Sequence, residues 1–212
     1  MKKLNVVLAL IVAVTLSGQD FKYGLTANFH QGSIVGVHDV SVGRFGGTVG
    51  AFVQIPLVEN DIYDSSWFYL MPQIEYSMQG ENANAEREKF GRQVFHHDYL
   101  AAQLYLKYFY HEGTYKTNYF AFAGPRFEYL VREKRQVDPA YDAVYYQYNY
   151  DKTLNKYGFG ISVGVGAKIN DQLEGFLRFD RGFSKVYPDN NLNNTYNRQL
   201  SVGINYFLSS DR

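Results

Sequence analysis

The sequence predicts an all-β fold, an eight-stranded antiparallel up-and-down transmembrane β-barrel with short periplasmic turns and long extracellular loops. Three observations predict it. Side chains alternate between apolar and polar over eight segments, the connections between these segments are alternately long and short, and 17% aromatic residues stand beside 19 glycines. The alternation of short and long connections is typical of outer-membrane barrels.

Composition excludes several other classes of protein. The chain of 212 residues has no cysteine, which excludes disulfide scaffolds and thiolate metal sites. Its 21 Lys and Arg residues balance 21 Asp and Glu residues, so the basic excess of nucleic-acid-binding proteins is missing. We expect one domain and no nucleic-acid partner.

The N-terminus has the pattern of a secretory signal peptide. Lys2 and Lys3 precede an apolar run from about Val6 to Leu16, and the small residues Ser17 and Gly18 follow it. The run is too short to cross a bilayer as a helix. We therefore predict a cleaved signal peptide over residues 1–18 and a barrel domain over residues 19–212.

Each of the eight later segments alternates with a period of two residues. They run from Phe21 to His30, Gly46 to Leu57, Phe68 to Met78, Tyr99 to Tyr110, Tyr119 to Tyr129, Tyr157 to Lys168, Glu174 to Asp180 and Gln199 to Leu208. The sixth is the clearest, with Phe159, Ile161 and Val163 on one face and glycine or serine between them. No amphipathic helix produces this period, so the segments predict strands.

Alternation alone does not say which face is inside, because a soluble lipocalin-like barrel also has eight strands and turns its apolar face inward. Two features favour the membrane barrel. The polar face of the sixth segment is rich in glycine, as expected of a crowded interior. Aromatic residues also lie near both ends of the apolar face, at Phe21, Tyr23, Tyr108, Tyr110, Tyr119 and Tyr206 toward the short turns and at Tyr76, Tyr129 and Tyr157 toward the long loops.

The polar face then lines the lumen and carries charges of both signs. The predicted cations are Lys22, Lys107, Arg126, Lys168 and Arg178, and the predicted anions are Glu75, Glu128, Glu174 and Asp180. An eight-stranded barrel is just wide enough to be filled by its own side chains, so we expect these charges to pair as a polar plug. A proton path or narrow channel is the alternative.

The loop between Arg132 and Leu154 is rich in tyrosine, a residue enriched at protein interfaces. Its tyrosines are Tyr141, Tyr145, Tyr146, Tyr148 and Tyr150, and the period of two near its end predicts that strands five and six continue as a hairpin beyond the membrane. We expect this loop to contact a protein or a glycan, unless the tyrosines only stiffen the hairpin. The basic residues Arg132, Lys134 and Arg135 suit phosphates of lipopolysaccharide.

A lipid-modifying enzyme is the alternative that involves chemistry. His96, His97 and Asp98 lie where a long loop enters the fourth segment, and His30 with Ser33 lies at the end of the first. No spacing singles out a nucleophile, and adjacent His96 and His97 point to opposite faces of a strand. We therefore predict no enzyme activity, no cofactor and no metal site.

Three stretches resemble a known family. The strand and exit Met71-Pro-Gln-Ile-Glu-Tyr-Ser-Met-Gln-Gly80, the strand Tyr99-Leu-Ala-Ala-Gln-Leu-Tyr-Leu-Lys-Tyr108 and the tetrapeptide Ala123-Gly-Pro-Arg126 resemble segments of PorT-like outer-membrane β-barrel proteins. The resemblance implies a small barrel in the outer membrane of a Gram-negative bacterium, inserted there by the barrel assembly machinery, with no catalytic residues. We expect a structural or accessory component of an outer-membrane protein complex that contacts partners through its extracellular loops.

Overall fold

The computed structural model describes residues 21–36, 41–58, 66–83, 93–112, 115–137, 154–189 and 194–209. Its strands are β1 (Lys22–Val35), β2 (Ser41–Val58), β3 (Phe68–Ala83), β4 (Gln93–Glu112), β5 (Tyr115–Val137), β6 (Tyr157–Lys168), β7 (Leu173–Gly182) and β8 (Tyr196–Phe207). Each strand pairs antiparallel with the next, and β8 pairs with β1 to close the barrel. The predicted fold class is confirmed. The predicted signal peptide lies outside the described residues, among which no helix is long and apolar enough to span a membrane.

Burial follows the predicted alternation and shows which face is inside. In β1, Thr26, Asn28 and His30 are buried, whereas the intervening Leu25 and Phe29 are more than half exposed. β6 repeats the pattern, with Ser162 buried in the lumen between outward-facing residues. The polar face therefore points inward and the apolar face outward, as expected of a barrel surrounded by lipid.

The outward aromatic residues form the two predicted rings. Tyr129 and Tyr157 are cross-strand partners at the extracellular end, with ring centroids 5.3 Å apart. At the opposite end Tyr108 of the predicted ring meets Trp67 edge to face, with ring centroids 5.6 Å apart, so Trp67 extends this ring beyond its predicted members. The rings bound the apolar band, so β4 spans the membrane with Leu100–Tyr110 and its residues 93–98 lie above the band.

Several strands are longer than predicted and project beyond the extracellular ring. β5 continues to Val137, and its residues 131–134 are all exposed on both faces of the sheet. Because both faces meet water there, the apolar and polar alternation that identifies a strand in the sequence disappears. The connections 36–40 and 84–92 are correspondingly shorter than expected, whereas 138–156 and 183–195 are long.

The extension of β5 has a different partner from the predicted one. Its residues from Arg132 to Val137 pair with β4, down to the last pair of Gln93 with Val137. β6 begins only at Tyr157, opposite Tyr129, so in the described part of the chain the extension of β5 projects together with β4, which is itself paired with β3, and not with β6. The five tyrosines Tyr141, Tyr145, Tyr146, Tyr148 and Tyr150 lie outside the described residues.

Candidate functional site

The centre of the lumen is an ion cluster built around Glu75 on β3. Arg178 donates hydrogen bonds from Nη1 to Oε2 and from Nη2 to Oε1 of Glu75, both at 3.0 Å. Arg126 donates from Nη1 to Oε1 at 2.5 Å, and Gln73 donates from Nε2 to Oε2 at 2.8 Å. All the charged members are buried, and the carboxylate of Glu75 accepts four hydrogen bonds from three strands. Such full satisfaction is what a buried charge requires.

Two further carboxylates complete this central cluster. Glu128 accepts from Nε of Arg126 at 2.8 Å and from Nε2 of Gln79 at 2.7 Å. Asp180 accepts from Nε of Arg178 at 3.1 Å. The cluster thus links β3, β5 and β7 across the interior through five of the nine charged residues predicted for the lumen.

A second cluster lies toward the periplasmic end around Lys107 on β4. Its ammonium group donates to both carboxylate oxygens of Glu174, at 2.5 and 2.6 Å, and to Gln54 at 2.8 Å. The same group lies 4.2 Å from the ring centroid of Phe120 and 4.9 Å from that of Phe109, within the range of cation–π attraction. A salt bridge and aromatic faces together stabilise this buried lysine.

The remaining two predicted lumen cations lie at the periplasmic rim. Lys22 is partly buried at the start of β1. Lys168 turns to the short β6–β7 connection, where it donates to the exposed Asp171 at 2.6 Å and lowers the pKa of that carboxyl. Lys168 therefore forms no ion pair with the lumen acids of the described residues. It is the last residue of β6, and the carboxylate of Asp171 in the following turn is its ion-pair partner.

The periplasmic half of the lumen is mostly aromatic around the Lys107 cluster, which corrects the prediction that polar side chains alone form the plug. Its buried residues are Phe52, Tyr69, Met71, Tyr105, Phe109, Phe120, Phe122, Phe176 and Phe207. Phe122 meets both Tyr105 and Phe176 edge to face, with centroid distances of 5.0 and 6.0 Å. This aromatic layer, defined by these nine residues, fills the barrel section below the central cluster.

Glycines on the inward face make room for these large side chains. A Cβ atom added at Gly164 would lie 2.2 Å from Cζ of Phe122, and one at Gly166 would lie 2.3 Å from Cζ of Phe120. Gly50 similarly faces Glu75, with a distance of 2.8 Å to its Cβ. The glycine-rich inner face therefore allows long side chains opposite, as the sequence predicted.

The extracellular mouth is covered by part of the β7–β8 connection. Val186 and Tyr187 are buried there against Ile34 of β1, with Leu154 packed beside them. Thr195 fixes this mouth cap, because its Oγ1 accepts a hydrogen bond from the backbone N–H of Tyr187 at 3.0 Å and its carbonyl accepts from that of Val186 at 2.7 Å. Val186 and Tyr187 thus fold inward over the barrel, whereas Phe183 at the start of this connection stays exposed on the outer wall.

His97 supports the mouth cap from β4, above the membrane-spanning part of that strand. Its ring lies 6.2 Å from that of Tyr187 in an edge-to-face arrangement, and its Nδ1 has no hydrogen-bond partner among the described residues. Burial, and then the charge of Arg44, lower the pKa of His97 to about 4, against a smaller opposing effect of Asp98. His97 is therefore neutral at pH 7.

Two small polar cavities separate the mouth cap from the central cluster. Each has a volume of about 10 Å³, and Glu128, Gly182 and Asn197 line both. This volume accommodates about one water molecule. Oδ1 of Asp180 and Oε1 of Gln199 are buried beside the first cavity without a hydrogen-bond partner in the described residues, so a water molecule is the occupant that fits.

The residues considered for catalysis are not brought together. His30 lies in the lumen, where Nε2 is 2.9 Å from the carbonyl oxygen of Met78, while Ser33 belongs to the alternate face of β1. His97 faces the lumen and Asp98 the outer wall, where Tyr76 donates to it at 2.7 Å. No histidine, serine and carboxylate thus share a lipid-accessible site among these candidates.

Asp98 also positions a basic side chain on the outer wall of β4–β5. Nη1 of Arg132 lies 3.5 Å from the Asp98 carboxylate, and the Arg132 side chain is 61% exposed. Lys134 is exposed two residues further along β5, whereas the side chain of Arg135 lies outside the described set. These cations lie just above the extracellular ring, at the height of lipid headgroups.

The stretch Tyr76 to Gly80 makes contacts on the outer wall, in the lumen and with the central cluster. Tyr76 binds Asp98, Ser77 accepts a hydrogen bond from Thr48, and Gln79 binds Glu128. Gly80 has a φ of 136°, and a Cβ there would lie 1.9 Å from the carbonyl oxygen of Phe95. Only glycine fits this close approach of two strands.

A closed antiparallel barrel with an apolar outer band between two aromatic rings, and with charged side chains inside, defines an outer-membrane β-barrel protein. Residues 17–187 match the model of the family described as outer membrane protein beta-barrel domain, so the chain belongs to that family. No curated protein matches the chain.

Several solved structures resemble this barrel. Neisserial surface protein A is 13% identical, with 88% of this chain and 96% of that chain covered and a TM-score of 0.47. The attachment invasion locus protein of Yersinia pestis is 6% identical (89% and 99% covered, TM-score 0.43), and OprG of Pseudomonas aeruginosa is 9% identical (90% and 95% covered, TM-score 0.40). These likenesses carry no functional argument.

Proposed function

We propose that this chain is a non-enzymatic outer-membrane barrel with a closed lumen, which acts as a structural or accessory component of an outer-membrane complex and contacts partners at its extracellular end. It reaches the outer membrane of a Gram-negative cell through its signal peptide and the barrel assembly machinery. The narrower resemblance to PorT-like barrels remains a prediction, supported by the residues Tyr76 to Gly80.

The observation that carries this proposal is the filling of the lumen. In the described part of the chain, the aromatic layer, the central cluster around Glu75 and the mouth cap follow one another along the barrel axis, with two water-sized cavities between the cluster and the cap. This stack supports a lumen that is closed to solutes larger than water. With the inside filled, the surfaces that remain for recognition are the extracellular end and the outer wall.

Two features of the extracellular end support contact with partners. The β4–β5 extension carries exposed charged residues beyond the membrane, and the tyrosine-rich segment 138–153 follows it directly in the chain. Arg132 and Lys134 suit phosphates of lipopolysaccharide, since cations near a membrane surface attract anionic headgroups. A protein partner would meet the tyrosines, which supply large contact areas.

A pull-down of the tagged protein from gently solubilised outer membranes tests the accessory role. We expect stoichiometric co-purifying proteins that are lost when Tyr146, Tyr148 and Tyr150 are changed to Ser. A matched control changes Tyr206 to Ser, because this tyrosine belongs to the periplasmic ring and leaves the extracellular end intact. A lone monomer at every detergent strength would contradict the accessory role.

A lipid-modifying activity is the second candidate, and it is favoured only by the histidines near the extracellular boundary. His96 lies at that boundary, and its Nε2 is buried without a partner in the described residues. Lipid A and phospholipid profiles of a deletion strain test it. We expect unchanged profiles, and an altered acyl pattern restored by the wild-type gene but not by H96A would establish the enzyme instead.

A further inference from the structure

Two arginines face each other directly on adjacent strands at the extracellular end of the barrel. Arg181 of β7 and Arg198 of β8 are cross-strand register partners. Side chains in such positions have Cβ atoms about 4.5–5.5 Å apart, and like charges placed there repel each other. Without an anion between the two guanidinium groups, this register pair contributes repulsion to the sheet.

Both side chains point away from the lumen. Asp180 and Gln199, which adjoin them in the sequence, are buried inside, so the period of two places Arg181 and Arg198 on the outer wall. The outward pair just below them is Phe179 with Leu200, which faces the apolar band. Arg181 also lies between Phe179 and the exposed Phe183 in its outward row.

The pair lies at the outer border of the apolar band. Along β8 the outward residues below Arg198 are Leu200, Val202, Ile204 and Tyr206, and Tyr206 belongs to the periplasmic ring. A strand crosses the hydrocarbon layer with about 9–11 residues. Arg198 therefore lies near the headgroups of the outer leaflet, where Tyr196 holds the Arg181 guanidinium 5.7 Å from its ring centroid.

Neither arginine forms an ion pair with a carboxylate of the described residues, in contrast to Arg126, Arg132 and Arg178. No acidic side chain in the described part of the chain therefore compensates the two charges. A phosphate monoester carries about −1.5 to −2 charges at pH 7 and three acceptor oxygens. Such a group between two guanidinium forks converts the repulsion into two charge-assisted contacts.

We propose that Arg181 and Arg198 form a binding site for a phosphate group of an outer-leaflet glycolipid. Phe179, Phe183 and Leu200 flank the pair on the same wall and provide apolar contacts for acyl chains, which a free phosphate does not use. The proposal depends on the proposed function only for the orientation of the barrel. It is separate from the tyrosine-rich loop and from Arg132.

Native mass spectrometry of the purified full chain in detergent tests the site, with bisphosphorylated lipid A as the probe. We expect the wild type to retain one lipid A molecule and the double variant R181Q/R198Q to bind at least about tenfold more weakly. Dephosphorylated lipid A should bind as weakly to the wild type as lipid A binds to that variant. Millimolar inorganic phosphate should not displace the lipid, and displacement would show a general anion site instead.

Two controls separate binding from folding. K168Q removes one cation at the periplasmic rim and should leave lipid A binding unchanged. R181K/R198K keeps both charges but loses the planar forks, so it should bind with intermediate strength even if the Gln variants fold poorly. Equal lipid A binding by the wild type and by a folded R181Q/R198Q protein would overturn the proposal. A pull-down without protein partners would contradict the accessory role but would leave the proposed lipid site intact.

Discussion

Arg178 binds Glu75 with two parallel hydrogen bonds of 3.0 Å across the barrel, although the two residues are 103 positions apart in the chain. Arg126 binds the same carboxylate from β5. Three strands that are not adjacent around the barrel are thus connected through one side chain. This relationship makes Glu75 the residue on which the central cluster depends.

Replacing Glu75 by Gln should therefore destabilise the barrel. The substitution leaves Arg126 and Arg178 with fewer buried counter-charges, and breaking a buried ion pair typically costs about 3–5 kcal/mol. The measurement is urea-induced unfolding in lipid vesicles, followed by tryptophan fluorescence and by gel mobility. D171N is the control, because the Lys168–Asp171 pair is exposed and should contribute nothing measurable. Equal stability of E75Q and wild type would refute the importance of the cluster.

Replacing Gly164 by Ala should also destabilise the barrel. The added methyl group would lie 2.2 Å from Phe122, whose ring is held by Tyr105 and Phe176, and 2.6 Å from the carbonyl oxygen of Leu177. Overpacking of this kind costs about 1–3 kcal/mol. G175A is the matched control, since its nearest side-chain atom is 3.6 Å away. The two variants should differ in folded fraction after refolding into detergent, and similar fractions would count against a tightly packed aromatic layer.

Replacing Thr195 by Val should loosen the mouth cap without changing the barrel below it. The variant keeps the side-chain shape but removes the Oγ1 acceptor for the Tyr187 N–H group. Loss of a buried hydrogen bond costs about 1–3 kcal/mol. Hydrogen exchange at residues 183–189 should become faster, while exchange in β7 stays as in the wild type. Unchanged exchange in the cap would show that other contacts hold it.

Stability of the mouth should depend on pH through His97. Its pKa is lowered to about 4 in the folded state from an ordinary value of 6.5, so the unfolded state binds more protons between these values. The stability is therefore highest, as far as His97 is concerned, above pH 6.5. As the pH falls from 6.5 toward 4, the free energy of unfolding decreases by at most roughly 3 kcal/mol. Lower protection factors of the cap amides at pH 4.5 than at pH 7, after division by the intrinsic exchange rate at each pH, are the expected result, and this difference should be abolished in H97F. The same pH dependence in H97F would assign it to another group.

Much of the fold follows from the sequence because the membrane enforces alternation. Between the two aromatic rings every second side chain meets lipid. The inward positions of Glu75, Lys107 and Arg178 follow from that period together with the aromatic rings and the glycine-rich polar face, which show that the polar face is inside. Beyond the rings both faces of β5 meet water, so the extension to Val137 has no periodic signal. The aromatic layer does not follow from the sequence, because the inward-facing Phe120 and Phe122 are of the same residue type as many lipid-facing side chains.

The partners of the charged residues depend on barrel closure and not on local sequence. Alternation places Glu75 inside but does not show that Arg126 and Arg178, from two other strands, reach the same carboxylate. The glycines of β6 are the one indication of the aromatic layer in the sequence. Gly164 and Gly166 lie directly opposite Phe122 and Phe120 in the register and leave space for the two rings. The mouth cap depends on Val186 and Tyr187 in a long connection, where no periodicity identifies a buried residue.

Single-channel recording in planar lipid bilayers tests the closed lumen most directly. The purified wild-type protein should show no steady conductance if, as we propose, the aromatic layer, the central cluster and the mouth cap close the lumen. The variant F120A/F122A removes two rings of the aromatic layer and is the positive control. Its conductance should show that the recording detects an opened lumen. A steady, reproducible conductance of the wild type would contradict the closed lumen and establish a narrow channel.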